Sequence, residues 1–144
     1  MKLAMMLWLA SVLPQHLANQ TCLATTVYLE ARSQPTIGQL AVAEVAMRRR
    51  DQGRWGNTVC DVVTAPHQFA TATTPKSFEI TNLAAFQKAW KIAGDSINNW
   101  NLPRNERRFV VPHADHFATA AVSPTWERNR TGTTIGAHTF YAVN

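Results

Sequence analysis

Between residues 37 and 50 the sequence reads as a helix with almost no polar side. Ile37, Leu40, Ala41, Val42, Ala43, Val45, Ala46 and Met47 surround most of its girth. A surface helix carries its apolar residues on one stripe, so a helix this apolar has to be enclosed by other elements. A chain containing it folds around a central helix, with Thr36 placed to cap the start. Composition agrees. Apolar residues are 46% of the 144 and charged residues 16%, which excludes a disordered chain. The length suits one domain with one core. No apolar run reaches the roughly 20 residues of a membrane-spanning helix. Two Cys are too few for a disulfide-dense mini-protein or a four-thiolate zinc finger.

The flanking segments read as further helices. Leu23, Ala24, Val27, Tyr28 and Ala31 recur at helical steps within residues 21–32, and Ser33, Gln34 and Pro35 end that helix. Asn57 or Thr58 caps a short helix through Val63. Residues 66–77, rich in Thr and Pro around Gln68 and Phe69, read as a long loop of the kind that often carries function. Thr81 or Asn82 caps a helix through Leu83, Phe86, Trp90 and Ile97, with Gly94 as a potential interruption. Residues 114–122 read equally as helix or loop, Ser123-Pro124 as a turn, and residues 133–143 as a short strand or extended tail. The expected fold is mainly α, α+β in detail: one helical domain with a small late β element.

Residues 1–18 are set apart. Lys2 precedes an apolar run over residues 3–13 in which only Ser11 is polar, and Pro14 closes it. The segment reads either as a secretory signal or anchor, or as a helix packing through Leu3, Met6, Leu7 and Ala10. The remaining domain is 19–144. Cys22 and Cys60 suit one disulfide in an exported protein, worth about 3–4 kcal/mol in the chain-entropy picture, or two buried thiols in a cytosolic one.

Fourteen Lys and Arg against nine Asp and Glu give a formal net charge of +5. That favours polyanionic partners: nucleic acid, anionic lipid or a bacterial wall. No nucleic-acid fingerprint accompanies it, and Arg48-Arg49-Arg50 is explained by the dipole at a helix C-terminus. Five scattered Trp read mostly as core or half-buried. Acid–base chemistry needs a carboxyl whose proton is held near neutral pH, which burial achieves. Glu30 qualifies, standing at a helix end on the border of the buried face. Glu44, in the most apolar helix, reads first as a buried ion pair with Arg48 and only second as an acid. His113, His116 and His138 raise a zinc site, but a pair three residues apart is weak evidence.

The blocks together resemble a known family. The stretch from Cys22 through Tyr28, Glu30 and Arg32 to Ser33 is similar to the signature block of the SleB-like cell wall hydrolases. Gly38-Gln39 with Ala41-Val42-Ala43 matches that family's glycine–glutamine helix. Residues 57–63 followed by Gln68-Phe69 match its third block. Val122-Ser123-Pro124-Thr125-Trp126 and Ile135-Gly136 through His138, Phe140 and Tyr141 match its C-terminal blocks. The chain departs from the common pattern at Leu29, at Ser33-Gln34 and at Met47-Arg48, where leucine–asparagine is frequent. The resemblance implies a lysozyme-like fold and cleavage of the peptidoglycan glycan strand by a lytic transglycosylase, with Glu30 as catalytic acid and base. It implies substrate contacts at Tyr28, Gln68, Phe69, His116, His138 and Tyr141, and no cofactor or metal. It also implies a monomer acting in the periplasm or wall, exported or released at phage lysis. Peptidoglycan is then the partner, with transient membrane contact through residues 3–13 and no specific nucleic acid. The rival readings are hydrolysis by water with Glu44 as helper, a wall-binding module without activity, and a zinc amidase.

Overall fold

The computed structural model describes residues 1–120, 124–127 and 129–144. Val122 and Ser123, which open the fourth matching block and the expected turn, lie outside the described residues. Helix α3 (Thr36–Gln52) is the central element: Ala41, Val42, Ala43, Val45, Ala46 and Met47 are fully enclosed. Around it lie α2 (Gln15–Ala31), α4 (Val59–Thr64) and α6 (Leu83–Trp100), each in contact with α3. Ile37, at the start of the apolar run, is exposed instead. Helix α3 begins without a side-chain cap, because Thr36 is its first residue rather than its cap. It ends at Gly53, whose positive φ of 71° lets its N–H return to the Arg49 and Arg50 carbonyls.

Helix α2 starts six residues earlier than the sequence pattern suggests, just after Pro14. Its first turns are polar and carry no apolar stripe, so periodicity does not reveal them. Thr21, Thr25 and Thr26 lie buried in it, each donating its hydroxyl to the carbonyl four residues back. Helix α6 runs without interruption through Gly94, where the Gln20 side chain fills the space a Cβ would need. Thr58 caps α4 by accepting from the Asp61 N–H, and Asn82 caps α6 by accepting from the Ala85 N–H.

The apolar N-terminal run forms α1 (Leu3–Val12), which packs on α2 through Leu3, Met6 and Ala10. It leaves Met5, Trp8 and Val12 outward, about half exposed. Leu3 and Ala4 are fastened by backbone hydrogen bonds to Phe78 and Lys76. No helix among the described residues is long and apolar enough to cross a membrane.

The late extended segment is a hairpin plus one strand. β1 (His116–Thr119), β2 (Thr133–Ile135) and β3 (His138–Tyr141) form an antiparallel sheet in the order β1-β3-β2. Gly136, at φ 59°, turns β2 into β3. The Gln34 side chain accepts from the Ala137 N–H and fixes that turn to the start of α3. β1 places a strand within residues 114–120 of the segment that reads equally as helix or loop: no pattern of its own marks it as a strand, and β3 supplies its partner.

Candidate active site

Along one slowly turning stripe of α2, at steps of four, lie Cys22, Thr26 and Glu30. Each meets the α4–α5 segment in a different way. Cys22 is joined to Cys60 at the start of α4 by a disulfide, with the two Cα atoms 5.3 Å apart. Thr26 and Thr71, both buried, share a hydroxyl–hydroxyl bond of 2.7 Å that ties α2 to α5 (Ala70–Thr73). Glu30, one turn on, faces the Ala70 N–H. The first two contacts fix the distance at which the third group sits.

Glu30 is half-buried. Burial pushes its carboxyl up from 4.5 to about 7, against the opposing pull of the Ala70 N–H and the positive charge of Arg49. No carboxylate is among the groups that set its proton affinity. It is a carboxyl poised to give and take a proton at neutral pH.

Arg49 is a feature the sequence reading missed, having assigned it to the helix dipole. It is buried on α3, with its guanidinium 4.3 Å from the Trp55 ring centre and 4.8 Å from that of Phe69. Its Nε donates to the Asp115 carbonyl at 2.7 Å and one terminal nitrogen donates to Gln68 Oε1 at 3.2 Å. Burial pulls it down to about 10 although Asp115 and Glu30 hold its charge. Helical spacing carries the missing signal: Val42, Val45, Ala46 and Arg49 share one buried stripe.

Asp115, also missed, is fully enclosed. It accepts from the Val143 and Asn144 N–H groups, from Gln52 Nε2 and from His116 Nδ1. Burial alone would raise its carboxyl, but these donors outweigh it and hold the group down at about 2. It is a permanent anion that orients the His116 ring. Burial, joined by the Arg49 charge, keeps His116 below its ordinary value although Asp115 opposes. His116 lies 5.9 Å from Trp55 and 5.0 Å from Trp126, whose ring meets Tyr141 at 5.3 Å. Trp55 and Trp126, both half-buried, join a row of packed rings beside Arg49.

The expected contact residues divide. Gln68, Phe69, His116 and Tyr141 gather around this network. Gln68 and Phe69 hold Arg49, and the Tyr141 hydroxyl donates to Glu127 at 2.8 Å. Tyr28 does not belong with them. It is 2% exposed, stacks on Phe86 and Arg32, and its hydroxyl accepts from the Asn82 N–H, so it packs α2 against the start of α6. His138 is buried between Phe117 and Phe140, and its Nδ1 has no partner among the described residues. Glu44 is a structural anchor rather than an acid: it accepts from the Val110 and Val111 N–H groups and pairs with Arg48 at 3.3 Å. His113, His116 and His138 do not converge, and no cluster of metal-ligating side chains forms among the described residues. A cavity of about 450 Å³ lined by Arg48, Asp51, Trp100, Arg107 and His113 lies apart from Glu30. Its one carboxylate, Asp51, is taken up by Trp100 Nε1 and Arg107.

Comparison with known proteins completes the description. A family model described as Cell Wall Hydrolase matches residues 33–141. That stretch opens just past Glu30. The spore cortex-lytic enzyme of Bacillus cereus is 30% identical over 118 residues, 82% of this chain and 42% of that protein. The spore cortex-lytic enzyme of Oceanobacillus iheyensis is 30% identical over the same share of this chain and 39% of its own length. The chain therefore spans less than half of the curated relatives it matches. Among solved structures, the catalytic domain of the germination-specific lytic transglycosylase SleB from Bacillus anthracis superposes with a TM-score of 0.64 at 27% identity. The match covers 85% of this chain and 93% of that one. The catalytic domain of the Bacillus cereus SleB protein gives 0.65 at 27% identity, covering 85% and 88%. The chain belongs to the cell wall hydrolase family.

Proposed function

We propose that this chain cleaves the glycan strand of peptidoglycan as a lytic transglycosylase, at the bond between N-acetylmuramic acid and N-acetylglucosamine, with Glu30 as both acid and base. The observation that carries this reading is a single half-buried carboxyl held at about 7 with no second carboxylate among the groups that tune it. Retaining and inverting glycosidases need two carboxylates. One is enough when the protonated group first donates to the glycosidic oxygen and then takes the proton of the sugar's own C6 hydroxyl. The second step closes a 1,6-anhydro ring. Gln68, His116 and Tyr141 are the proposed substrate contacts beside it.

The likeness to the catalytic domain of a lytic transglycosylase from Bacillus anthracis supports the same reaction. The basic surface suits an anionic envelope as the place of action, and the outward Met5, Trp8 and Val12 of α1 suit a brief contact with the membrane there. Mass spectrometry of fragments released from purified peptidoglycan tests the reaction. Wild type should release 1,6-anhydro muropeptides and Glu30→Gln none. Reducing ends in place of anhydro ends would move the reaction to hydrolysis by water, and equal release by both proteins would remove Glu30 from the chemistry.

A further inference from the structure

We propose that Arg49 is the positioning and electrostatic partner of Glu30, a guanidinium locked in place so that its charge bears on that carboxyl through both halves of the reaction. This rests on the glycan-cleaving reading above. A buried arginine is expensive to desolvate and ordinarily meets a carboxylate fork to fork. Arg49 is 4% exposed, yet among the described residues no carboxylate pairs with it directly. Two rings and two hydrogen bonds to uncharged oxygens fix its plane instead. Its remaining terminal nitrogen has no protein partner among the described residues.

Two anionic or acidic groups act on Arg49: Asp115, already satisfied by four donors, and Glu30. The other charged or titratable groups nearby are His116, which Asp115 orients, and Arg54 beside it. Phe69, whose ring lies 4.8 Å from the guanidinium, is followed directly by Ala70, whose N–H faces Glu30, so one short segment touches both groups. Glu30 is thus the group left for that charge to serve.

The service is chemical. As the C1–O bond breaks, the Glu30 proton passes to the leaving glycosidic oxygen and leaves a half-buried carboxylate. Arg49 and the Ala70 N–H stabilise that anion. The C6 oxygen then bonds to C1, and its proton returns to Glu30, so the cycle closes with no net proton change. Without Arg49, burial would hold the proton more tightly and leave the carboxylate formed by the first transfer less well stabilised, so that transfer would be slower.

The test titrates the Glu30 carboxyl by carbon-13 NMR in the full chain, beside the pH dependence of cleavage of soluble glycan strands. In Arg49→Met the Glu30 midpoint and the alkaline limb of the rate should both move up by about one pH unit. At neutral pH kcat should fall roughly tenfold while KM changes little. Arg49→Lys should restore most of the wild-type profile. Should Arg49→Met fail to fold, Gln68→Ala removes one of the guanidinium's two tethers and should move the same limb in the same direction by less. A Glu30 midpoint unchanged in a folded Arg49→Met or Gln68→Ala protein overturns the proposal. Because the titration needs no substrate, it reads the coupling even if wild type proves to cleave no glycan, in which case the functional reading falls by itself.

Discussion

Glu30 is a carboxyl whose burial costs stability, and the sign follows from its proton affinity. The folded chain keeps the proton up to about pH 7, while an unfolded chain loses it near 4.5. Between those values the folded state binds more protons, so this residue's contribution to stability declines as the pH rises through that window. Glu30→Gln removes the penalty. Its thermal midpoint should match wild type near pH 4 and exceed it at pH 8, measured by circular dichroism at both. An equal difference at both pH values would mean that Glu30 is not desolvated as described. Much of this residue-scale picture is legible in the sequence, because a carboxylate at the border of an apolar helical face is visible as such. Arg49 and Asp115 are less so. A basic run at a helix end has an adequate surface explanation, and Asp115 acquires its partners only when residues 143 and 144 return to it. Tyr28 shows the reverse case: it sits two residues from Glu30 in a matching block, but two residues along a helix point to different faces.

At the scale of elements, strongly periodic segments are readable and short ones are not. Helix α3 announces itself by composition, and α6 by its spacing and Asn82 cap. Helix α5 has four residues and β1 has four; neither holds enough pattern to be told from a loop, and both exist because neighbours satisfy them. Two departures from the common family pattern also work at this scale. Arg48, standing where asparagine is frequent, donates to the Val111 and Ala114 carbonyls and so pins the segment leading to Asp115. Gln34 holds the β2–β3 turn, where a Cβ on Gly136 would strike its side chain. Helix α1 packs through one face and turns the other outward. If that outer face meets lipid, wild type should float with anionic vesicles and Trp8→Ser should lose at least half of the bound fraction. Equal flotation of the two would assign the attraction to net charge alone.

For the molecule as a whole, the mainly helical class and the single enclosed helix follow from apolar patterning, whereas the grouping of the site residues does not. They come from α2, α3, the start of α5 and the late sheet, regions far apart in sequence that no periodicity links. The Cys22–Cys60 bond is the covalent one among these links. Cys22→Ser with Cys60→Ser should lower stability by about 3 kcal/mol, read from urea unfolding, with a somewhat steeper slope as the unfolded chain expands. Activity should fall more than the loss of folded protein explains, because α4 and α5 carry the Ala70 N–H toward Glu30. Activity that tracks the folded fraction alone would confine the bond to scaffolding.

That bond also ties the chain's covalent structure to where it is. If a thiol-rich compartment keeps Cys22 and Cys60 reduced, the clasp between α2 and α4 is missing there, and an oxidising one lets it close. A chain of this kind made inside a cell and used outside would then complete its own scaffold only on delivery.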